Sequence, residues 1–338
     1  MPPDSSKFRT MYSLVGALGW VHDVAFSPNG EMLAVILGTR STIGIWKLVR
    51  MPTEHMGCFF QRRQTLQSIS QYFDQIVFTT NRQLVTKDYS NALPSTWQLD
   101  HQDRFQPVQR HGNIPKSGSY TSFTLSQSGL VLIIMGRLST KGQKSQDIDV
   151  WKCNSDGHFK NEQRLKNLKD HEYHGIACSS DGRWLVESSN RMWHNTWIRD
   201  LSGSRTRQCL LPAGIPSKSV TVAEFSPDSQ RLVLGCGNET FLYENDDRGT
   251  WTIEKNLRSR SPILSVAFSS NSRITATGRE DGRIDIWERD KDGSLTQWTL
   301  PREDRPRSPV DHLALSLNGL FLVSVQGSMV NIWENTQR

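Results

Sequence analysis

Short apolar segments recur along the chain, and within them apolar and polar residues alternate. Val24 and Phe26 show this alternation, and Leu33 and Val35 follow it after the Ser-Pro-Asn-Gly sequence at 27–30. A period of two places alternate side chains on one face of a β-strand, and the intervening sequence has the residues of a tight turn. The pattern therefore predicts half-buried, antiparallel strands and an all-β chain.

The strand pattern repeats seven times, and two separate sets of residues show the same repeat. The residue before the first turn of each copy is Phe26, Phe78, Leu125, Cys178, Phe225, Phe268 and Leu315. The aromatic residue that closes the third strand is Trp46, Trp97, Trp151, Trp197, Tyr243, Trp287 and Trp333. Copies 43 to 53 residues apart in the first set indicate a repeat architecture.

A fourth strand follows the closing aromatic in six copies, but the chain ends five residues after Trp333. The segment Phe8–Leu14 has the composition of the strand that the seventh copy lacks. We expect this N-terminal strand to complete the last sheet and close a ring of seven sheets, which leaves no unprotected edge. One complete domain over 1–338 is the expected organisation.

Seven four-stranded units with these turns and closing aromatics resemble the WD40-repeat β-propeller family over nearly the whole chain. Several family signatures are missing: no Gly-His dipeptide precedes the first strands, Trp-Asp never occurs, and the Asp six residues before the closing aromatic occurs only as Asp281. The resemblance implies blade cores at about 20–50, 72–100, 119–153, 172–201, 219–245, 262–289 and 309–335, with 8–14 as the closing strand. It also implies a rigid, non-catalytic platform for protein, peptide or nucleic-acid partners.

Composition narrows the classes of protein. The 338 residues are 36% apolar and carry a net charge of +6, and no stretch has the roughly 18 apolar residues of a membrane helix. The N-terminus lacks the apolar core of a secretory signal. Five cysteines without chelate spacing are typical of reduced thiols, so we expect a cytoplasmic location, with the nucleus as the alternative. No membrane partner, cofactor or metal is expected, and the ring is expected to be monomeric.

Basic and aromatic residues collect at one predicted face of the ring. This top face carries the loops that lead into each first strand and the hairpins between the second and third strands. Guanidinium groups bind carboxylate or phosphate, while aromatic rings pack apolar parts of a ligand. The predicted partner-binding residues are Arg40, Lys87, Arg137, Lys141, Lys144, Arg191, Arg279, Trp20, Tyr72, Tyr120 and Tyr173.

Each of these residues also has a simpler interpretation. Loop Arg and Lys side chains are usually only solvated, and Trp20 and the tyrosines could seal the inner barrel. The third copy has a longer hairpin, with 26 residues from Leu125 to Trp151 against 18 to 20 in the others. Its polar insertion, roughly 136–147, is interpreted either as a binding loop or as a neutral insertion.

The sequence thus favours a non-catalytic interaction scaffold that binds an acidic or phosphorylated peptide. Direct nucleic-acid binding through the same basic face is the first alternative, motivated by a pI of about 9.1. An enzyme with a site at the central channel is the second. No nucleophile elbow, phosphate-binding Gly-rich loop or dinucleotide fingerprint occurs, so no catalytic residue is assigned.

Overall fold

A computed structural model describes residues 8–14, 19–38, 42–50, 58–67, 73–88, 95–110, 119–126, 130–140, 143–153, 159–165, 173–189, 196–202, 207–210, 220–246, 248–269, 271–300, 308–316 and 318–336. The chain divides into two compact units, one formed by 1–110 with 267–338 and the other by 111–266.

The described residues form 28 β-strands in seven four-stranded sheets, which we number as blades in chain order. The first strand is β1 (Phe8–Leu14). Blade 1 contains β2 (Val21–Phe26), β3 (Met32–Leu37), β4 (Thr42–Arg50) and β5 (Cys58–Gln67), and blade 2 contains β6 (Phe73–Thr80), β7 (Gln83–Asp88), β8 (Ser95–Leu99) and β9 (Phe105–Arg110).

Blades 3, 4 and 5 belong to the second unit. Blade 3 contains β10 (Ser119–Leu125), β11 (Val131–Thr140), β12 (Gln143–Cys153) and β13 (Phe159–Leu165). Blade 4 contains β14 (Tyr173–Cys178), β15 (Trp184–Ser189), β16 (Thr196–Asp200) and β17 (Arg207–Leu210). Blade 5 contains β18 (Val222–Phe225), β19 (Arg231–Cys236), β20 (Glu239–Asn245) and β21 (Trp251–Arg258).

The last two blades follow in the same order. Blade 6 contains β22 (Ile263–Phe268), β23 (Ile274–Arg279), β24 (Ile284–Arg289) and β25 (Leu295–Thr299). Blade 7 contains β26 (His312–Leu315), β27 (Phe321–Gln326) and β28 (Met329–Asn335). No helix occurs in the described ranges, and accordingly none there is long and apolar enough to cross a membrane. Seven antiparallel four-stranded blades confirm the predicted all-β, seven-bladed propeller class.

The N-terminal strand completes blade 7. Strand β1 pairs antiparallel with β28, with Phe8 opposite Asn335 and Leu14 opposite Val330, and the Phe8 ring is fully buried. The blade therefore takes its outer strand from one end of the chain and its three other strands from the opposite end. This confirms the strand predicted from the missing segment after Trp333.

Neighbouring blades bury both faces of the second strand. All six residues of β3 are buried. Leu33 and Val35 pack in a cluster with blade 7, whereas Met32, Ala34 and Ile36 pack with blade 2. The prediction of half-buried strands was therefore incomplete, because a sheet between two others has no solvent-facing side.

A buried serine organises the first turn of the blades. In blade 1 the Ser27 hydroxyl accepts a hydrogen bond from the Met32 backbone N–H at 2.9 Å and donates to the Asn29 carbonyl oxygen Oδ1 at 2.7 Å. The same acceptor bond, from the backbone N–H five residues later, recurs in five more blades. The serines of these blades are Ser126, Ser179, Ser226, Ser269 and Ser316.

The turn also requires a left-handed backbone at its fourth position. Gly30, Gly182 and Gly319 have φ values of 71°, 71° and 67° there, while Ser229 and Ser272 have 60° and 54°. Only glycine adopts this region without steric cost, which explains the glycine in the turns of blades 1, 4 and 7. The Ser-Pro-Asn-Gly sequence is thus interpreted correctly as a turn signal.

The closing aromatic of three blades is bonded to the neighbouring strand. The indole N–H groups of Trp97, Trp287 and Trp333 donate to Thr86, Thr277 and Ser324 at 3.1, 3.4 and 3.0 Å. Each hydroxyl lies two residues beyond the residue opposite the aromatic. In blades 3 and 5 that position holds Ile134 and Leu234, and the polar atoms of Trp151 and Tyr243 have no hydrogen-bond partner among the described residues.

In blade 4 a buried ion pair stands in place of the bonded Trp and hydroxyl. Leu185, which follows the first turn, lies opposite Arg199, so Arg199 and not Trp197 occupies the closing position. The assignment of Trp197 as the closing residue was wrong by two positions, because the pairing register and not the residue type sets the position. The Arg199 guanidinium binds the Glu187 carboxylate at 2.6 and 3.0 Å, and the Glu187 side chain is fully buried.

The long hairpin of blade 3 is regular β structure. Strands β11 and β12 pair without interruption from Val131 opposite Lys152 to Thr140 opposite Gln143. The described parts of the insertion, 136–140 and 143–147, therefore lengthen two strands and do not form an irregular loop, while a binding role for the insertion stays a prediction.

We expect Ser316→Ala to lower the free energy of unfolding by about 1 to 3 kcal/mol, because the buried Phe321 N–H loses its acceptor. Urea unfolding followed by tryptophan fluorescence measures this loss. Ser294→Ala removes an exposed hydroxyl and is the matched control, with an expected change within about 0.5 kcal/mol. Equal losses for both variants would contradict the structural role of the turn serine.

We expect Glu187→Thr and Arg199→Trp each to destabilise the protein by about 3 to 5 kcal/mol, because each removes one partner of a buried ion pair. The double variant installs the Thr and Trp found at the equivalent positions of blades 2 and 6. It should be more stable than either single variant in the same unfolding experiment. If the destabilisation of the double variant equals the sum of the two single losses, the hypothesis that a Thr–Trp pair can replace the Glu–Arg pair is wrong.

Candidate functional site

The candidate site lies at one end of the blades. We define the top end of a blade as the end at which its first strand begins and at which the second and third strands are joined. The bottom end carries the serine turns. In the first unit, backbone and side-chain bonds connect successive top ends, since the Val21 N–H donates to the Gly327 oxygen and the Gln326 amide donates to the Gly282 and Ser308 oxygens.

Trp20 is an exposed indole on a restrained backbone at the top end of blade 1. Its side chain is 68% exposed. Its backbone oxygen accepts a 2.7 Å bond from the Gly38 N–H, and Gly19 has a φ of 64° and packs directly against Gly38. This exposure is inconsistent with the alternative in which Trp20 seals the inner barrel. The ring is available for contact, and little backbone freedom would be lost on binding.

Arg279 does not offer a free positive charge. Its guanidinium lies within 3.1 Å of both the Asp281 and the Asp285 carboxylates, and its side chain is only 7% exposed. Asp285 also accepts a 2.5 Å bond from the Thr299 hydroxyl. The expectation that Arg279 belongs to a solvated basic face is corrected, because the hairpin supplies two carboxylates that neutralise it.

The other predicted residues remain predictions. Arg40, Tyr72, Lys141 and Arg191 lie outside the described residues. Lys87, Tyr120, Arg137, Lys144 and Tyr173 lie in strands whose backbone is described, but their side chains are not. Their mutual arrangement therefore stays a hypothesis derived from the repeat.

Arg283 is a basic residue that the sequence prediction omitted. It follows the turn that begins after Arg279, and its side chain is exposed at the top end of blade 6. Arg260 is exposed in the segment that joins β21 to β22, at the top end of blade 5. Arg258 is 80% exposed, but its guanidinium lies 3.1 Å from the Glu239 carboxylate. Spacing around the turn could have identified Arg283, whereas the capture of Arg279 by Asp281 required coordinates.

Asp23 joins the first strands of three blades in the first unit. Its carboxylate accepts a 2.9 Å bond from the Ile76 N–H of β6 and lies 3.8 Å from the His312 imidazole of β26. It also accepts from the N–H of Val24 at 2.8 Å. These contacts hold the inner strands next to Trp20, so Asp23 has a positioning role that alternation alone does not predict.

The four thiols that the structure describes are poor nucleophiles at neutral pH. Burial raises the pKa of Cys178 and of Cys236 to about 12, and it also raises the pKa values of Cys58 and Cys153. Within the described residues no three His, Cys, Asp or Glu side chains come together as a metal site.

Comparison with known proteins agrees with the repeat. Residues 251–288 match the family model "WD domain, G-beta repeat" of the WD40 family, and they run from β21 to the third strand of blade 6. A Schizosaccharomyces pombe protein named "Putative dipeptidyl aminopeptidase C14C4.15c" is 30% identical over 86 residues. That match covers 25% of this chain and 9% of the relative, and it does not establish an activity. Over 251–288 the chain is thus similar to the WD40 repeat, and its seven four-stranded blades agree with the propeller that the repeat pattern predicts.

Proposed function

We propose that the protein is a non-catalytic scaffold that binds an acidic or phosphorylated peptide at the top end of its blades. WD40 propellers generally mediate protein–protein interaction and are typically non-catalytic. The observation that carries the peptide proposal is Trp20, a 68% exposed indole held on a restrained backbone. Large aromatic residues on rigid backbones are the typical anchors of protein interfaces.

Charge favours an acidic partner. The chain carries a net charge of +6, and Arg260 and Arg283 are exposed cations at the top end. On the basis of the repeat, Arg40 belongs to the proposed surface of the first unit, which carries Trp20 and Arg283, whereas Arg260, Lys141 and Arg191 belong to top ends of the second unit. Guanidinium groups form paired, charge-assisted hydrogen bonds with carboxylate and phosphate, so acidic or phosphorylated side chains suit this surface.

Nucleic-acid binding is the second candidate, and the pI of about 9.1 favours it. The two candidates differ in salt dependence. Duplex DNA binding weakens with a slope of about −0.9 in log K against log salt for every phosphate contacted. A short phosphopeptide neutralises few charges and should show a shallow slope. Fluorescence anisotropy with labelled duplex DNA, RNA and phosphopeptides at several salt concentrations separates them.

We expect Trp20→Ala to weaken binding of the best acidic or phosphoserine peptide from an array by about 30-fold, since an interface anchor contributes about 2 kcal/mol. Anisotropy titration measures the affinity, and thermal unfolding should be unchanged because the indole is exposed. Val108→Ala, which truncates another exposed apolar residue, is the control. Equal affinity of the Trp20 variant and the wild type would contradict the proposed site.

We expect Arg279→Met to reduce stability by about 3 to 5 kcal/mol, because it leaves the buried Asp285 carboxylate without its cation. Arg283→Gln, on the same hairpin, should leave stability unchanged and weaken binding of the acidic peptide a few-fold. Urea unfolding and anisotropy are measured on both variants. A stable Arg279 variant with reduced peptide affinity would instead place Arg279 in the binding surface.

A further inference from the structure

A cavity of about 180 Å³ lies in the first unit between blades 1 and 2, at their bottom ends. Its apolar wall consists of Met32 and Ile45 from blade 1 and Leu99 and Phe105 from blade 2, all of which are buried. The bottom-end turns contribute Asn29 and Asn81 to the rim. This cavity is separate in sequence and in blade position from the top-end surface proposed above.

Hydrogen bonds between the two blades hold the cavity in shape. The Gln64 amide donates to the Phe105 oxygen at 2.9 Å and accepts from the Phe105 N–H at 2.8 Å. The Asn29 N–H donates to the Asn81 side-chain oxygen at 2.7 Å. A recess with fixed walls loses little conformational entropy when a ligand enters it.

At the rim of the cavity, one cation has no partner among the residues that the structure describes. Lys47 is paired with Asp103 at 2.7 Å, and Arg82 donates to the backbone oxygens of Leu99 and Asp100 at 3.0 Å. The guanidinium of Arg63 has no hydrogen bond or ion pair to any residue that the structure describes, and its side chain is exposed.

A β-bulge places Arg63 at this rim. Strand β5 has an extra residue relative to β4, since Ile45 is opposite Gln64 and Trp46 is opposite Arg62. Consecutive residues of a regular strand point to opposite faces, but a bulge redirects one of them, and both Arg63 and Gln64 line the cavity. The bulges of blades 2 and 5 carry Val108 and Glu254 at the same place. The free cation is thus a feature of blade 1 among these blades.

The size of the cavity indicates its occupant. Sites for cofactors and drug-sized ligands have volumes of about 300 to 1,000 Å³, whereas a cavity of about 150 Å³ accommodates one benzene ring. The 180 Å³ here suits a single apolar side chain such as Phe or Leu. Arg63 at the rim favours a carboxylate next to that side chain.

We propose that this cavity is a second peptide-binding site, which takes an apolar side chain from an extended segment of a partner protein and pairs the adjacent Asp or Glu with Arg63. The site does not depend on the top-end function. Partners that use both sites would gain effective concentration from two linked contacts.

The test uses the full-length protein with ¹³C-labelled Met and Ile methyl groups. Four peptides are titrated: acetyl-Ser-Phe-Glu-Ser-amide, its Phe→Ala analogue, its Glu→Gln analogue and the analogue with both changes. The Met32 and Ile45 methyl resonances should shift with the first peptide, since both residues line the cavity. Each single analogue should bind at least about fivefold more weakly, which corresponds to about 1 kcal/mol.

Arg63→Glu tests the cation without disturbing the core, because the side chain is exposed. This substitution should weaken binding of the Phe-Glu peptide by about tenfold and leave the unfolding midpoint unchanged. Arg62→Glu is the matched control, since Arg62 is the preceding residue and lies over the Trp46 ring at 5.4 Å. Its effect on peptide affinity should be less than about twofold.

The proposal would be overturned by the absence of a methyl shift at millimolar peptide, by equal affinity for the Glu and Gln peptides, or by equal effects of the two Arg substitutions. Phenylacetate, which has the ring and carboxylate without a peptide backbone, is titrated in parallel. Binding as tight as that of the peptide would indicate a small anionic ligand and reject the peptide. Trp20→Ala should leave all these titrations unchanged, so failure of the top-end proposal is distinguishable.

Discussion

The structure depends on the burial of both faces of its sheets. A four-stranded sheet of apolar strands is stable only when each face lies against another apolar surface. The buried residues accordingly form clusters shared by adjacent blades, such as the one that joins Leu33 of blade 1 to Val323 of blade 7. Strand β1 extends this principle to the last blade, where Phe8 packs beside Trp333 in the cluster with blade 6.

Polar groups inside the blades are bonded in different ways at equivalent positions. The turn serines satisfy buried backbone N–H groups in six blades, while the closing position holds a Trp bonded to a hydroxyl in three blades and an Arg–Glu pair in blade 4. Each arrangement satisfies a donor that would be costly to bury alone. The loss of the Gly-His and Trp-Asp signatures is therefore compatible with the fold, since other pairs occupy part of the same framework.

The residues on which the two proposed binding sites depend differ among the repeats. The frame is common to the blades, but Trp20 and the bulge residue Arg63 belong to blade 1. Neither residue stabilises the sheet that carries it through a hydrogen bond of its side chain to a described residue. Exposed side chains on a rigid frame are the ones that a partner contacts at low entropic cost. The top and bottom ends of the same blade thus present two chemically distinct surfaces.

The sequence by itself determined the strand period, the seven copies, the serine turns and the N-terminal strand, because these depend on local alternation and turn chemistry. Only the tertiary structure decided which residue closes blade 4, which partner neutralises Arg279 and where a cavity remains between blades 1 and 2. A register shift of two residues preserves alternation, so Trp197 and Arg199 are equivalent in pattern. Ion pairs and cavities arise from contacts between segments distant in sequence, and a pattern along one chain does not contain those distances.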